Sequence, residues 1–361
     1  MKKKRKKRER SPWPIAFVFR LIIIVSALAL LISYISIYVN PSSTTIPLFF
    51  GLYFVPLAIL NIVLLIAGII RRSGATWITF IILLPAILFA DLFVRWGKTE
   101  TTVKGTPLTV CTYNVGRFAH KERIERDKSL SMIARFISKE NPQVVCFQEF
   151  YINDTAKIRR EFYNYPYKYF HFFNLRNGYK FGNLTISKFP IYSSGDITFK
   201  GSTNLCIYTD IDVSGKTIRV YNTHLESHAI SFTALIKKMS TSNKVSDDIL
   251  NVRDRLAIAF VKRSSQVDTI ATHASNSEFP AIICGDFNDT PMSYTYHILS
   301  LNKKDSFKES GRGFSATYSY LWPLLRIDYI LYPRFFNSIS HHTKRVSYSD
   351  HYPVFSKIVI P

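Results

Sequence analysis

Short polar clusters at the ends of apolar runs, or just inside them, carry side chains suited to phosphoester chemistry. In Ser349-Asp350-His351-Tyr352-Pro353-Val354, a carboxylate and an imidazole precede the strand-like run from Val354 to Ile360. In Cys284-Gly285-Asp286-Phe287-Asn288-Asp289, strand periodicity puts Asp286 and Asn288 on one face, and Gly285 lets the backbone approach closely. A carboxylate and an amide at that spacing can orient an attacking water together with a phosphate. Asn222, His224 and Glu226 share a face by the same period, and an imidazole beside an amide can hold a phosphoryl oxygen. Asp328 interrupts the apolar strand Ile327–Leu331, which is costly unless the carboxylate finds a partner. The expected partner is His351, whose tautomer it would set; a surface pair with Arg326 is the competing reading. Asn114 and Glu149 end two further strand-like runs and offer the oxygen donors that hard cations take. Singly, each is an ordinary turn residue.

Together, in identity and order, these clusters resemble the endonuclease/exonuclease/phosphatase superfamily of deoxyribonucleases, abasic-site endonucleases, neutral sphingomyelinases and inositol polyphosphate phosphatases. The resemblance runs from about Leu108 to Pro361, and its most specific parts are Gly285-Asp286-Phe287-Asn288 and Ser349-Asp350-His351. It implies an α/β (α+β) four-layer sandwich of two β-sheets flanked by helices, with the site where strand ends and loops converge. It also implies a divalent cation, Mg²⁺ or alternatively Mn²⁺, held by Asn114 and Glu149 with Asp350 sharing it. By the same resemblance His224 contacts the transition-state phosphate, Asp286 and Asn288 position the water, and His351 with Asp328 forms the acid/base pair. Whether Asp286 or His351 takes the proton stays open, since both are suitable in type. Gly182-Asn183-Leu184-Thr185-Ile186-Ser187 resembles the family's central strand, a scaffold near the site. Gly116-Arg117 departs from the pattern, because abasic-site endonucleases often carry an additional acidic residue there; this weighs against DNA repair.

Strand patterns at Leu108–Val115, Gln143–Phe150, Asn183–Ser187, Leu205–Val213, Thr217–Leu225, Ala281–Phe287, Ile327–Tyr332 and Val354–Ile360 would position these residues. Helical spacing covers Glu122–Glu140, Val252–His273 and about Met292–Leu301. Ser227–Asp248 reads as an insertion or mobile loop, and the aromatic run around Phe162–Phe173 as core, with a face for membrane or nucleotide bases as the alternative. Cys111, Cys146, Cys206 and Cys284 all fall in apolar runs without metal-knuckle spacing, so buried single thiols are expected.

The first hundred residues have a different texture. Apolar runs at about Pro14–Val39, Ile46–Ile70 and Ala75–Val94 each meet the roughly 20 residues that cross a bilayer as helix. Three transmembrane helices over 1–96, a linker over 97–107 and a catalytic domain over 108–361 are expected. The basic run before the first helix and Arg71-Arg72 in the second loop place both on the cytoplasmic side. The uncharged first loop, Asn40–Thr45, and the catalytic domain then lie outside the cytoplasm. Asp91 is expected to pair with Arg95 one turn later. Lys and Arg exceed Asp and Glu by 22 (47 against 25), and half of that excess belongs to residues 1–98 (13 against 2). The remainder still suits a phosphate-bearing substrate or an anionic surface.

The leading functional reading is a membrane-tethered, divalent-metal-dependent phosphoester hydrolase, in particular a phosphodiesterase acting on nucleic acid or lipid head groups. Its partners would be that substrate and the bilayer, with no obligate protein partner. The alternative is a non-catalytic membrane-anchored binding or signalling protein on the same fold. Absence of a catalytic residue would mark the alternative, and every expected residue is present.

Overall fold

The computed structural model describes residues 13–97, 104–119, 126–227 and 245–361. The basic N-terminal run, most of the linker and most of the expected insertion at Ser227–Asp248 lie outside the described residues.

Two six-stranded sheets form the centre of the chain. The first has the order β13-β14-β2-β3-β5-β4, from β2 (Thr106–Asn114), β3 (Val144–Ile152), β4 (Tyr167–Asn174), β5 (Lys180–Ser187), β13 (Asn337–Thr343) and β14 (Val354–Ile360). The second has the order β10-β12-β9-β8-β7-β6, from β6 (Ile191–Thr198), β7 (Leu205–Val213), β8 (Lys216–His224), β9 (Ala281–Asp286), β10 (Lys303–Asp305) and β12 (Asp328–Pro333). β2 begins at Thr106, inside the linker expected over 97–107, and Thr106 pairs with Ile360. Each sheet contains a parallel pair, β2 with β3 and β8 with β9. A parallel pair needs a crossover, and helices α6 (Arg126–Glu140) and α8 (Val245–Ser275) supply them.

Alternation along the strands explains the layering. Leu108, Val110, Val144, Cys146, Val220, Ile282, Cys284, Ile330 and Ile358 face inward and form the core between the sheets. Cys111, Tyr113, Val145 and Phe147 face outward and pack under Leu130, Ile133 and Ile137 of α6. On the far side, Tyr221, Ile283 and Leu331 pack under Val267 and Ile270 of α8 and Leu299 of α9 (Tyr294–Ser300). The result is the expected four-layer sandwich, and all four cysteines are buried and unbridged.

Short or polar edge strands escape the sequence pattern. β6 and β13 carry Ser193, Ser194, Ser338, Ser340, His341 and His342, because an edge strand needs only part of its surface apolar. The aromatic run divides: Phe162 and Phe172 join the core, whereas Phe170 on the edge strand β4 stays exposed.

The N-terminal region corrects the three-helix expectation. Helix α1 (Trp13–Ile35) and helix α3 (Phe54–Arg71) are long and apolar enough to cross a membrane. A separate short helix, α2 (Ile46–Leu52), precedes α3, because Pro56 has no N–H for the Leu52 carbonyl. The third run is broken into α4 (Thr76–Leu83), α5 (Ala86–Phe89) and a single turn to Leu92. Pro85 accounts for that break by the same rule, and the 17 residues of Thr76–Leu92 would rise only about 25 Å as helix.

The helices and the sandwich share contacts. Ser36 Oγ donates to the Met292 carbonyl (2.8 Å), Asn40 Nδ2 to Tyr294 OH (3.1 Å), and Leu48 packs with Leu256 and Phe260 of α8. After the third run, β1 (Val94–Arg95) pairs with β11 (Gly313–Phe314). Asp91 binds Lys308 Nζ at 3.4 Å, not Arg95 as its spacing suggests. At the opposite end of the helices, Arg71 lies over the Phe19 ring.

Candidate active site

On the face between the sheets, each central strand changes from apolar to polar toward one end. The series are Val110-Thr112-Asn114, Cys146-Gln148, Val220-Asn222-His224, Cys284-Asp286 and Ile330-Asp328, each read at every second residue. A first polar layer ties the two sheets together. Gln148 Nε2 donates to Asn222 Oδ1 at 2.8 Å, and Asn222 Nδ2 donates to the Leu184 and Phe147 carbonyls. Asn183 Nδ2 donates to the Asn222 and Leu205 carbonyls. Asn222 is therefore spent inside the sandwich and takes no part in a phosphate site. Glu226 lies beyond the end of β8 and binds Lys262 at 3.0 Å.

Above this layer the expected residues converge. Asn114 Nδ2 donates to Asp286 Oδ2 at 2.8 Å and reaches Glu149 Oε1 at 3.4 Å, while its Oδ1 accepts from the Gly116 N–H. Glu149 sits in a bulge of β3, at φ 52°, and the extra residue aims its carboxylate into the site. His224 is paired with Asp286 across β8 and β9; its Nε2 lies 3.7 Å from Glu149 Oε1 and 4.0 Å from Asp286 Oδ2. Among the described residues neither ring nitrogen of His224 has a hydrogen-bond partner, although both are buried. A buried imidazole in that state is ready for a polar guest.

Asp328 faces Asp286 across β12 and β9, and its Oδ2 lies 3.0 Å from His351 Nδ1. The other side of the same ring points at the site, with Nε2 3.7 Å from Asp286 Oδ2. Arg326 takes a different partner, Asp305, at 2.8 Å. Asn288, at φ 51°, donates from Nδ2 to the Leu225 carbonyl, and its N–H binds Asp286 Oδ1 at 2.8 Å. That hydrogen-bonded side chain leaves Asn288 holding the two strand ends together beside the carboxylate. Asp350 Oδ1 accepts from Ser349 Oγ, whose hydroxyl also donates to the Asn114 carbonyl at 2.7 Å. Gly116 lets Asp350 sit close: a Cβ there would come 2.9 Å from Asp350 Oδ1.

Burial and charge set the protonation states. Burial pushes Asp286 up to about 7, with Asp328 adding to the rise while His351 and the Asn114 amide restrain it. Burial alone would lower His351, but the carboxylates of Asp328 and Asp286 outweigh it and hold the imidazole well above its usual range. Burial lowers His224 despite the pull of Glu149, so that ring is neutral at pH 7. The site thus holds one protonated and one neutral imidazole within reach of a carboxylate balanced near neutrality.

The donors suit a hard cation. Glu149 and Asp350 are only partly buried, and the Asn114 amide adjoins Glu149. A cationic group already sits at Glu149: Arg117 Nε is 3.3 Å from Oε2. Asp286, Asp328 and His351 are the three described residues whose ligand atoms cluster within 4.8 Å. Several contributors carry no sequence signal of their own. Thr317 Oγ1 accepts the Ile327 and Asp328 N–H groups, and Tyr318 forms a bridge to His351. Both come from a loop without periodicity, and only the fold brings them to the site.

The Endonuclease/Exonuclease/phosphatase family profile matches residues 111–351. A second profile, a domain of unknown function, matches residues 16–91. No curated protein sequence matches the chain. Among solved structures, an endonuclease/exonuclease/phosphatase from Beutenbergia cavernae aligns over 71% of this chain and 72% of its own, at 18% identity and a TM-score of 0.53. The human Nocturnin catalytic domain, with a bound sulfate anion, aligns over 72% and 97%, at 17% identity and a TM-score of 0.51. These likenesses speak for the fold, and the match over 111–351 decides the family. The chain belongs to the endonuclease/exonuclease/phosphatase family, whose members are hydrolases of phosphoester bonds.

Proposed function

We propose that the chain is a membrane-tethered, divalent-metal-dependent phosphodiesterase whose site faces the extracytoplasmic side. The observation that carries the catalytic part is the Asp328–His351–Asp286 line, 3.0 Å and 3.7 Å long, beside a buried and unpartnered His224. Asp328 fixes the His351 tautomer and keeps the ring charged, so its Nε2 carries a proton toward the site. A charged imidazole cannot also accept a proton. Asp286, near neutrality, then takes the proton from the attacking water, while His351 and His224 donate to the developing negative charge on the phosphoryl oxygens. Glu149, Asn114 and Asp350 would hold a Mg²⁺ ion, or Mn²⁺ in its place, whose contribution is charge neutralisation and water activation. Asn288 keeps Asp286 oriented.

The membrane part rests on the apolar helices and on where they meet the sandwich. The segment after α1 and the segment after Leu92 both touch the catalytic domain, whereas Arg71 lies at the other end beside Phe19. In this reading the broken third run would lead the chain back from Arg71 to the side it reached after α1. A cytoplasmic location for the basic end puts the catalytic domain outside. Lipid head groups and nucleic acid are both candidate substrates, and proximity to the bilayer favours the lipid.

Turnover of a panel of DNA, RNA, phospholipid and phosphoinositide substrates, with Mg²⁺ and with EDTA, tests the catalytic reading. Chelator-sensitive hydrolysis of a phosphodiester is expected. Activity on none of them would favour the non-catalytic binding protein. A reporter fused after Pro361 tests orientation: it should be active only outside the cytoplasm.

A further inference from the structure

A cavity of about 340 Å³ lies where the third apolar run meets the sandwich, away from the catalytic cluster. Part of its lining is hydrocarbon, from Ile37, Leu88, Phe89 and Leu92; the polar part includes Lys303 and Glu309. Leu88 is 77% exposed, so the apolar wall continues onto the outward surface of the run.

The charges on the polar wall sort by partner. In the edge strand β10, alternation sends Lys304 away from the side shared by Lys303 and Asp305. Lys304 Nζ donates to the Phe336 carbonyl and to Asn337 Oδ1. Asp305 is satisfied by Arg326 and by Tyr296 OH. Lys308 is paired with Asp91. Lys303 and Glu309 remain: both are half-buried, and among the described residues neither has an ion pair or side-chain hydrogen bond, with each other or with anything else. Burial lowers the Lys303 pKa, as expected of an ammonium without a counter-charge. Half-buried charges of both signs, unpaired in one cavity, leave it able to take a ligand of complementary charge.

We propose that this cavity binds an aminophospholipid, with its phosphodiester on Lys303, its primary ammonium on Glu309, and an acyl chain along Leu88 and Phe89. This rests on the membrane-tethered reading above. A bound lipid of this kind would hold the third run against the domain and so fix the height of the catalytic site over the bilayer.

The test uses the full chain, delipidated in detergent, in EDTA so that no lipid is consumed. Binding of phosphatidylethanolamine, phosphatidylglycerol, phosphatidylcholine and free phosphoethanolamine is measured by native mass spectrometry and thermal shift. Phosphatidylethanolamine should bind about tenfold more tightly than phosphatidylcholine, whose quaternary amine donates no hydrogen bond. Lys303→Gln should weaken both phosphatidylethanolamine and phosphatidylglycerol. Glu309→Gln should weaken phosphatidylethanolamine alone. Equal binding of the three lipids, or variants that bind as the parent does, would overturn the assignment. So would free phosphoethanolamine competing as strongly as the lipid, since the hydrocarbon wall would then contribute nothing. Liposome flotation of the parent chain separates the two readings: failure to float removes the anchor, whereas flotation without lipid preference removes only this site.

Discussion

Replacing Asp286 with Asn should slow the enzyme and, at alkaline pH, stabilise it. The carboxyl is buried and titrates at about 7 in the fold, against roughly 3.9 in an unfolded chain. Between those values the native state holds a proton that the unfolded state has released. Stability therefore falls as pH rises through the window and is lowest above its upper end. A shift of about three units corresponds to at most ~4 kcal/mol. Two effects reduce it. His351 loses a neighbouring carboxylate, and Asn114 Nδ2, which donates to Asp286 Oδ2, must reorient to meet an amide. Allowing roughly 2 kcal/mol for these leaves a net gain of about 1–2 kcal/mol at pH 8, and none at pH 5. Thermal unfolding of the full chain in EDTA, with parent and Asp286→Asn scanned from pH 5 to 8, reads this as a difference that grows with pH. The expected gain in Tm at pH 8 is about 2–4 °C. Phosphodiester turnover should fall by about 10²–10⁴, the usual worth of a positioned acid or base. A variant less stable than the parent at pH 8, or equally stabilised at both ends of the range, would refute the electrostatic reasoning. Near-normal turnover would refute the role of Asp286 as base.

Asp328→Asn leaves His351 without the carboxylate that keeps it charged; kcat/KM should drop by about 10²–10⁴, and the alkaline limb of the pH–rate profile should move to lower pH. Arg117→Ala removes a guanidinium that sits 3.3 Å from Glu149, so the Mg²⁺ concentration for half-maximal activity should fall a few-fold at low ionic strength, about threefold or more; an unchanged titration would mean that Glu149 does not hold the ion. Gly285→Ala places a Cβ 1.9 Å from the Thr223 carbonyl oxygen at φ 140°, where neither the β8 nor the β9 backbone can yield. Unfolding free energy should fall by roughly 2–4 kcal/mol, measured by denaturant titration, and a loss under 1 kcal/mol would show that the strands are looser than the register implies.

The sequence by itself determined the layers and singled out the polar residues that converge between them. Asn114, Glu149, His224, Asp286, Asp328 and His351 were legible because each ends or begins an apolar strand, where a polar side chain has either a turn to make or a site to fill. The alternating strands and the α6 and α8 patterns implied two sheets between helices, since each needs a partner for one apolar face. Local pattern reached its limit where partners are distant in the chain. Asn222 looked like a phosphate contact, yet the first sheet takes its amide. Arg326 was the competing partner for Asp328 beside His351, yet β10 brings Asp305 to it. Asp91 had Arg95 one turn away, yet the docked sandwich supplies Lys308. Hydropathy also counted three equal apolar runs, because it is blind to the breaks that Pro56 and Pro85 impose on helix geometry. Only the tertiary structure set the protonation states of Asp286 and His351. Those depend on burial and on the field of residues that meet from opposite sheets, a quantity that no window along the chain contains.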